Sequence, residues 1–187
     1  PDFDQWIEFG FLVGDQAQMA LDAQMHRAGR ARRGDAKRLA QQVRVGVDLD
    51  MGRLAGWDGG AFHVTLNDRR GNSTSADLVG NRFPIQEAYG GQYTRLTEAS
   101  YDQTFNGGQS YFKLGYYAMG NQFGLHSLLT HFVNAAFCAH PLAMSGNSGW
   151  YNYPVARWGG EVAQQLRPAL NLRVGGFQVN PNLAGDN

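Results

Sequence analysis

Lysine occurs only at Lys37 and Lys113, and cysteine only at Cys138. A lone thiol excludes a disulfide framework within the chain and leaves the redox compartment open. No run of about eighteen apolar residues occurs, which excludes a transmembrane helix. It does not exclude a membrane barrel, whose strands alternate and average out in hydropathy. Charged side chains make up 17% of the chain and cancel to a formal net charge of zero. No electrostatic argument therefore points to nucleic acid. Gly-rich phosphate loops, nucleophile elbows and HExxH helices are also missing. Pro1-Asp2-Phe3-Asp4 has neither a basic n-region nor an apolar h-region, so any leader is expected to have been removed or never to have been there.

What is present is glycine, aromatics and arginine. The 187 residues suffice for one ordinary domain. With 25 glycines and 12% aromatics the composition is that of a turn-rich all-β chain. The positive charge is nearly all arginine, whose planar fork of donors suits hydroxyls, carboxylates and phosphates. Codon bias would produce the same skew.

The clearest element is a hairpin. Tyr93 to Phe105 leads into Asn106-Gly107-Gly108-Gln109, a φ-positive turn, and Tyr111 to Met119 returns. The returning arm places Phe112, Leu114, Tyr116 and Ala118 on one face and Lys113, Gly115 and Tyr117 on the other. Gln42 to Asp50 alternates in the same way, with Val43, Val45, Val47 and Leu49 opposite Arg44, Asp48 and Asp50. After a turn at Leu54 to Gly60, Phe62, Val64 and Leu66 oppose His63, Thr65 and Asn67. The charged face could be half-solvated or could line a water-filled lumen. Phe3 to Val13 reads as a first strand. Arg157 to Leu166 and Leu170 to Val179 form a last hairpin about Pro168.

Asp15 to Ala28, rich in Ala, Gln and Met, is expected to be a short helix capped by Asp15. The basic stretch Arg27 to Arg33 is expected to be a solvated loop, or to face anionic lipopolysaccharide or a ligand. Asp68 to Gln92 reads as a polar loop. Gly120 to Pro154 is the longest excursion, with helical spacing from Leu125 to Phe137 and a stop at Pro141. The expectation is thus about seven strands of roughly ten residues, with short turns on one side and long loops on the other. That rhythm belongs to outer-membrane barrels more than to soluble sandwiches.

Chemistry-bearing clusters are few. His126, His131, Cys138 and His140 do not have a zinc spacing, so no metal and no cofactor is expected. Glu98 and Asp102 share a strand face, yet not at the spacing of a glycosidase carboxylate pair, which converges to about 5 Å in retaining enzymes. No enzymatic activity is expected. Trp57, Trp150 and Trp158, with Tyr151 and Tyr153, fall at strand ends, where interfacial aromatics sit in a membrane barrel. In a soluble carbohydrate-binding module the same tryptophans would stack on sugars.

Four segments together resemble the carbohydrate-selective porin family, the OprB type. They are Val47-Asp48-Leu49-Asp50 with Leu54 to His63, Arg95-Leu96-Thr97-Glu98-Ala99, Phe132 to Cys138, and Tyr153 to Gly159. The resemblance implies a 16-stranded antiparallel transmembrane β-barrel with long extracellular loops. It also implies an outer-membrane location in a Gram-negative bacterium and diffusion of glucose and other carbohydrates through an arginine-containing channel. By position it makes Arg95 and Glu98 the first candidates for the constriction, with Arg44, Asp48, His63, Lys113, Arg157 and Arg173 as further lumen residues. The family's barrel needs more than twice this length, so residues 1–187 are expected to be the N-terminal part of one barrel domain. The implied partners are carbohydrates such as glucose, outer-membrane lipid and lipopolysaccharide, and the remaining barrel strands. A homo-oligomer is compatible with it; nucleic acid is not implied. Tyr116 stands where the family is expected to carry a basic residue, which would alter the charge of the lumen.

Overall fold

The computed structural model describes residues 5–13, 17–28, 38–72, 80, 91–131 and 152–179, with side chains beginning at 41. Eight strands form one sheet in chain order: β1 Gln5–Val13, β2 Ala17–Ala28, β3 Arg38–Asp50, β4 Gly60–Gly71, β5 Tyr93–Phe105, β6 Ser110–Tyr117, β7 Arg157–Arg167 and β8 Leu170–Phe177. Every neighbouring pair is antiparallel. The connections 14–16, 51–59, 106–109 and 168–169 lie at one end of the sheet. The connections 29–37, 72–92 and 118–156 lie at the other, and the last two are the longest of all.

The strand count corrects the expectation of seven. The segment expected to be a short helix is β2, paired along its whole length with β1 and β3. Its Ala, Gln and Met are helix formers by local preference, but two flanking strands supply hydrogen-bond partners on both sides, and pairing overrides propensity. The helical spacing at Leu125 to Phe137 yields only a 3₁₀ turn at Ser127–His131. Residues 132–151 lie outside the described part, and with them Trp150, Cys138 and His140. In the basic stretch, Arg27 and Ala28 end β2, while 29–33 also lie outside the described residues.

Local chemistry explains the turns. Asp50 accepts a hydrogen bond from the Arg53 amide at 3.2 Å, capping the one-turn helix α1, Met51–Ala55. Gly56 closes it in the left-handed conformation at φ 73°. Within β6, Gly115 sits at φ 137°, and a Cβ there would stand 2.5 Å from the Ala99 carbonyl oxygen. Only glycine lets β5 and β6 approach so closely at this position.

The sheet is sorted opposite to a water-soluble one. Thr65, Asn67, Arg69, Thr97, Ser100, Lys113 and Glu161 are buried, while Val64, Leu66, Leu114, Val162, Leu172 and Val174 are exposed. Val64 is 47% exposed and its neighbour Thr65 only 5%. The apolar face is bordered by aromatic side chains. At the short-turn end Phe62, Tyr101, Phe112 and Phe105 form a chain of ring contacts at 4.6, 6.0 and 5.8 Å. At the other end Tyr116 meets Trp158 at 5.7 Å. From Trp158 to Leu166, β7 rises roughly 26 Å at about 3.3 Å per residue. At the strand tilt of about 35–45° in outer-membrane barrels, that length covers roughly 20 Å of height, most of their apolar band of roughly 25 Å. Among the described residues no helix is long and apolar enough to cross a membrane, so any crossing is made by strands.

Val64→Arg tests this sorting. A cation at mid-height of a lipid-facing strand costs about 2–4 kcal/mol, so urea unfolding in lipid vesicles should show a loss of that size. A change within about 0.5 kcal/mol would mean that the apolar face meets water.

Candidate channel face

The register decides which side chains meet. Arg44 pairs with Asn67 and Asn67 with Arg95; Asp48 pairs with His63 and His63 with Ser100. Thr65 pairs with Glu98, Lys113 with Asp102 and Glu161, Tyr117 with Arg157, and Ala163 with Arg173. All eight residues singled out in the sequence as lumen candidates therefore share the polar face. Simple alternation would not have given this result, because Arg95 and Glu98 are three positions apart and would fall on opposite faces.

A β-bulge makes the difference. Between Thr65 and Leu66 the register shifts, so that Leu66 opposes Leu96, Thr65 opposes Glu98, and Thr97 is the extra residue. Thr97 is buried, and its hydroxyl donates to the Thr65 carbonyl at 3.2 Å. From Glu98 onward the parity of β5 is reversed, which turns Glu98, Ser100 and Asp102 inward. The sequence carries no turn residue or glycine at this point to announce it.

Three charge clusters follow from that placement. His63 lies 2.6 Å from Asp48 through Nδ1 and 2.6 Å from Asp102 through Nε2. Both nitrogens can donate only when the imidazole is protonated. The Lys113 ammonium donates to Glu98 at 2.6 Å, and the Ser100 hydroxyl donates to the same oxygen at 2.8 Å. Arg173 donates to Glu161 at 2.6 Å and to the Gln122 side chain. Glu98 is thus held by Lys113 and Asp102 by His63. Among the described residues no group of His, Cys, Asp and Glu side chains could hold a metal ion.

The two described ends of the long 118–156 connection reach onto this face at opposite places. Gln122 meets Arg173, and Phe123 packs against Phe177 at 5.9 Å, over β8. Tyr153 lies far across the sheet, where Arg44 and Arg69 approach its ring at 5.6 and 5.7 Å. The Gln42 amide donates to its hydroxyl at 3.2 Å, and Arg69 donates to Gln42 at 2.8 Å. Tyr153 stands only four residues before β7, so contact with β3 requires a strongly concave sheet.

Trp57 and Trp158 are exposed, in the 51–59 connection and on the apolar face. Phe62, Tyr101, Phe105, Phe112 and Tyr116 complete the aromatic borders and were missed, because reading for tryptophan passes over them. Tyr116 also corrects an expectation. It opposes Ala99 and Trp158 on the apolar face, so its lack of charge does not bear on the polar one.

Comparison with known proteins decides the family. The model described as "Carbohydrate-selective porin, OprB family" matches residues 35–187. The chain belongs to this family. It is 34% identical over 152 residues to the porin-named QuiX of Acinetobacter baylyi, covering 76% of this chain and 34% of that protein. To Porin B of Pseudomonas aeruginosa it is 31% identical over 151 residues, covering 78% of this chain and 33% of the other. The chain thus spans about a third of the length of these curated relatives. A high-pH structure of Pseudomonas putida OprB superposes with a TM-score of 0.70 at 27% identity, covering 89% of this chain and 40% of that one.

The Lys113–Glu98 pair is the most enclosed of the clusters, with side chains 9% and 16% exposed. Lys113→Met leaves a carboxylate buried without its cation and should cost about 3–5 kcal/mol. Lys113→Met combined with Glu98→Gln should recover most of that loss in urea unfolding. Equal instability of the single and double variants would show that the ion pair is not what the site depends on.

Proposed function

We propose that the chain contributes eight strands to an outer-membrane porin through which glucose and other carbohydrates diffuse, with no chemical step. The observation that carries this reading is the sorting of the sheet, with buried charges on one face and a membrane-height apolar band on the other. A soluble carbohydrate-binding module would bury Val64, Leu114, Val162 and Val174, which are exposed here. Among the described residues β1 and β8 each have only one strand neighbour, and an open edge is a pairing hazard. Strands outside this sequence would complete the barrel.

The polar face would be the channel wall, and the longer connections would lie outside the cell. Arginine guanidiniums donate several hydrogen bonds to sugar hydroxyls, and Tyr93 and Tyr153 offer flat apolar surfaces to a sugar ring. Conduction requires that such contacts stay weak enough for release. Arg95, Glu98, Arg44, Asp48, His63, Lys113, Arg157 and Arg173 are then residues of the solute path. Trp57 and Trp158 would anchor the barrel at the lipid interfaces.

Fractionation tests the setting. The native protein should be recovered with the outer membrane, need detergent for solubility and change its electrophoretic mobility on heating; a detergent-free monomer would end the porin reading. Arg95→Ala should weaken glucose block of ion current in planar bilayers at least about threefold, the loss of one charge-assisted contact of modest strength. Unchanged block would remove Arg95 from the path.

A further inference from the structure

The polar face is not evenly compensated. From mid-height to its short-turn end the carboxylates Asp48, Glu98, Asp102 and Glu161 all meet cations. Toward the other end Arg44, Asn67 and Arg95 are direct partners on three adjacent strands. Neither Arg44 nor Arg95 forms an ion pair with a carboxylate among the described side chains; the register partner of Arg44 on β2 is Asp22. Each lies instead on an aromatic ring, Arg44 at 5.6 Å from Tyr153 and Arg95 at 3.8 Å from Tyr93. Between them Asn67 is fully buried, and neither its amide nitrogen nor its amide oxygen has a hydrogen-bond partner among the described residues.

A buried amide without partners is costly and marks a place that something else completes. A primary amide gives and accepts, which matches a hydroxyl group. Guanidiniums on both sides match a carboxylate, the group that arginine holds best by charge and geometry. A neutral sugar would satisfy the amide and leave the Arg95 charge without a carboxylate partner. We propose that Arg44, Asn67 and Arg95 form a subsite for a polyhydroxylated carboxylate, a sugar acid. Its carboxylate lies between the two guanidiniums, and the adjacent hydroxyl meets Asn67. Arg44 and Arg95 turn from their rings toward the carboxylate, which uncovers the amide. The inference rests on the porin reading for the route by which the solute arrives.

The test uses the native protein extracted in detergent. Gluconate, glucose and acetate are compared as blockers of ion current in planar bilayers and as ligands in equilibrium titrations of the detergent-solubilised protein. Gluconate carries both the carboxylate and the hydroxyls, while each of the others lacks one of them. Half-saturation by gluconate should lie at least about tenfold below that by glucose or acetate, as expected for a charge-assisted contact added to a neutral one. Asn67→Asp sets a carboxylate between the same guanidiniums and should reduce the preference to within about twofold; Arg44→Gln should do the same by removing one of them. Trp158→Phe, on the opposite face, should leave it intact. Gluconate no better than glucose, or a preference surviving both Asn67→Asp and Arg44→Gln, overturns the proposal. Pores that form without that preference leave the porin reading standing, whereas preferential binding without pores removes the porin reading and keeps the subsite.

Discussion

The structure depends on an antiparallel register held almost without interruption across eight strands. Because successive side chains point to opposite faces, one register fixes the destination of every residue at once. A slip of one position in β4 would carry Arg69, Asn67 and Thr65 to the apolar side and Leu66, Val64 and Phe62 to the polar side. Both errors would be expensive, so the two faces enforce the same pairing from opposite directions. This matters most where side chains are far from apolar on the enclosed face, since no oily core is available to select the register.

The register shift in β5 shows how the constraint is used; a second lies in β7 between Gln165 and Arg167. Thr97 adds a residue to β5, and the strand re-emerges with Glu98, Ser100 and Asp102 facing inward. These are the residues that meet Lys113 and His63. Without the bulge two carboxylates would stand among Leu66, Val64 and Phe62, while His63 would keep only Asp48 and Lys113 only Glu161 across from it. The bulge and the ion pairs are therefore one device: the shift in backbone register supplies the anions that the cations on β4 and β6 need.

Much of this was legible from period alone. The faces of β3, β4, β6, β7 and β8 follow from alternation of Val, Leu and Phe with charged or small residues. Two features were not legible, for different reasons. In β2, Met19, Leu21 and Ala23 are the register partners of Val47, Val45 and Val43, so the alternation was present. It was written in helix-forming residues, and composition was given more weight than period. In β5 the bulge has no composition signal, and the shared face of Arg95 and Glu98 came from family likeness, not from spacing. The aromatic borders fall between these cases: their positions at strand ends were visible for Trp57 and Trp158 and passed over for Phe and Tyr.

A net charge of zero hides an ordered separation along the polar face. Where carboxylates and cations are paired at 2.6 Å, each charge is already satisfied and the wall is electrically quiet and stiff. On the proposed channel reading, a passing solute would gain little there, because it would compete with a hydrogen bond that is already made and charge-assisted. Where arginines lie on tyrosine rings, the contact that holds them is weaker and non-directional, and their donors can be redirected at small cost. Selectivity in a diffusion channel must come from such weakly held groups, since a solute can exchange with a ring contact and leave again. The arginine–tyrosine cluster lies near the long connections, while the Asp48–His63–Asp102 cluster lies near the short turns. Tyr153 is contributed by one of those connections, so this part of the polar face is shaped by loop residues as well as by the strand register.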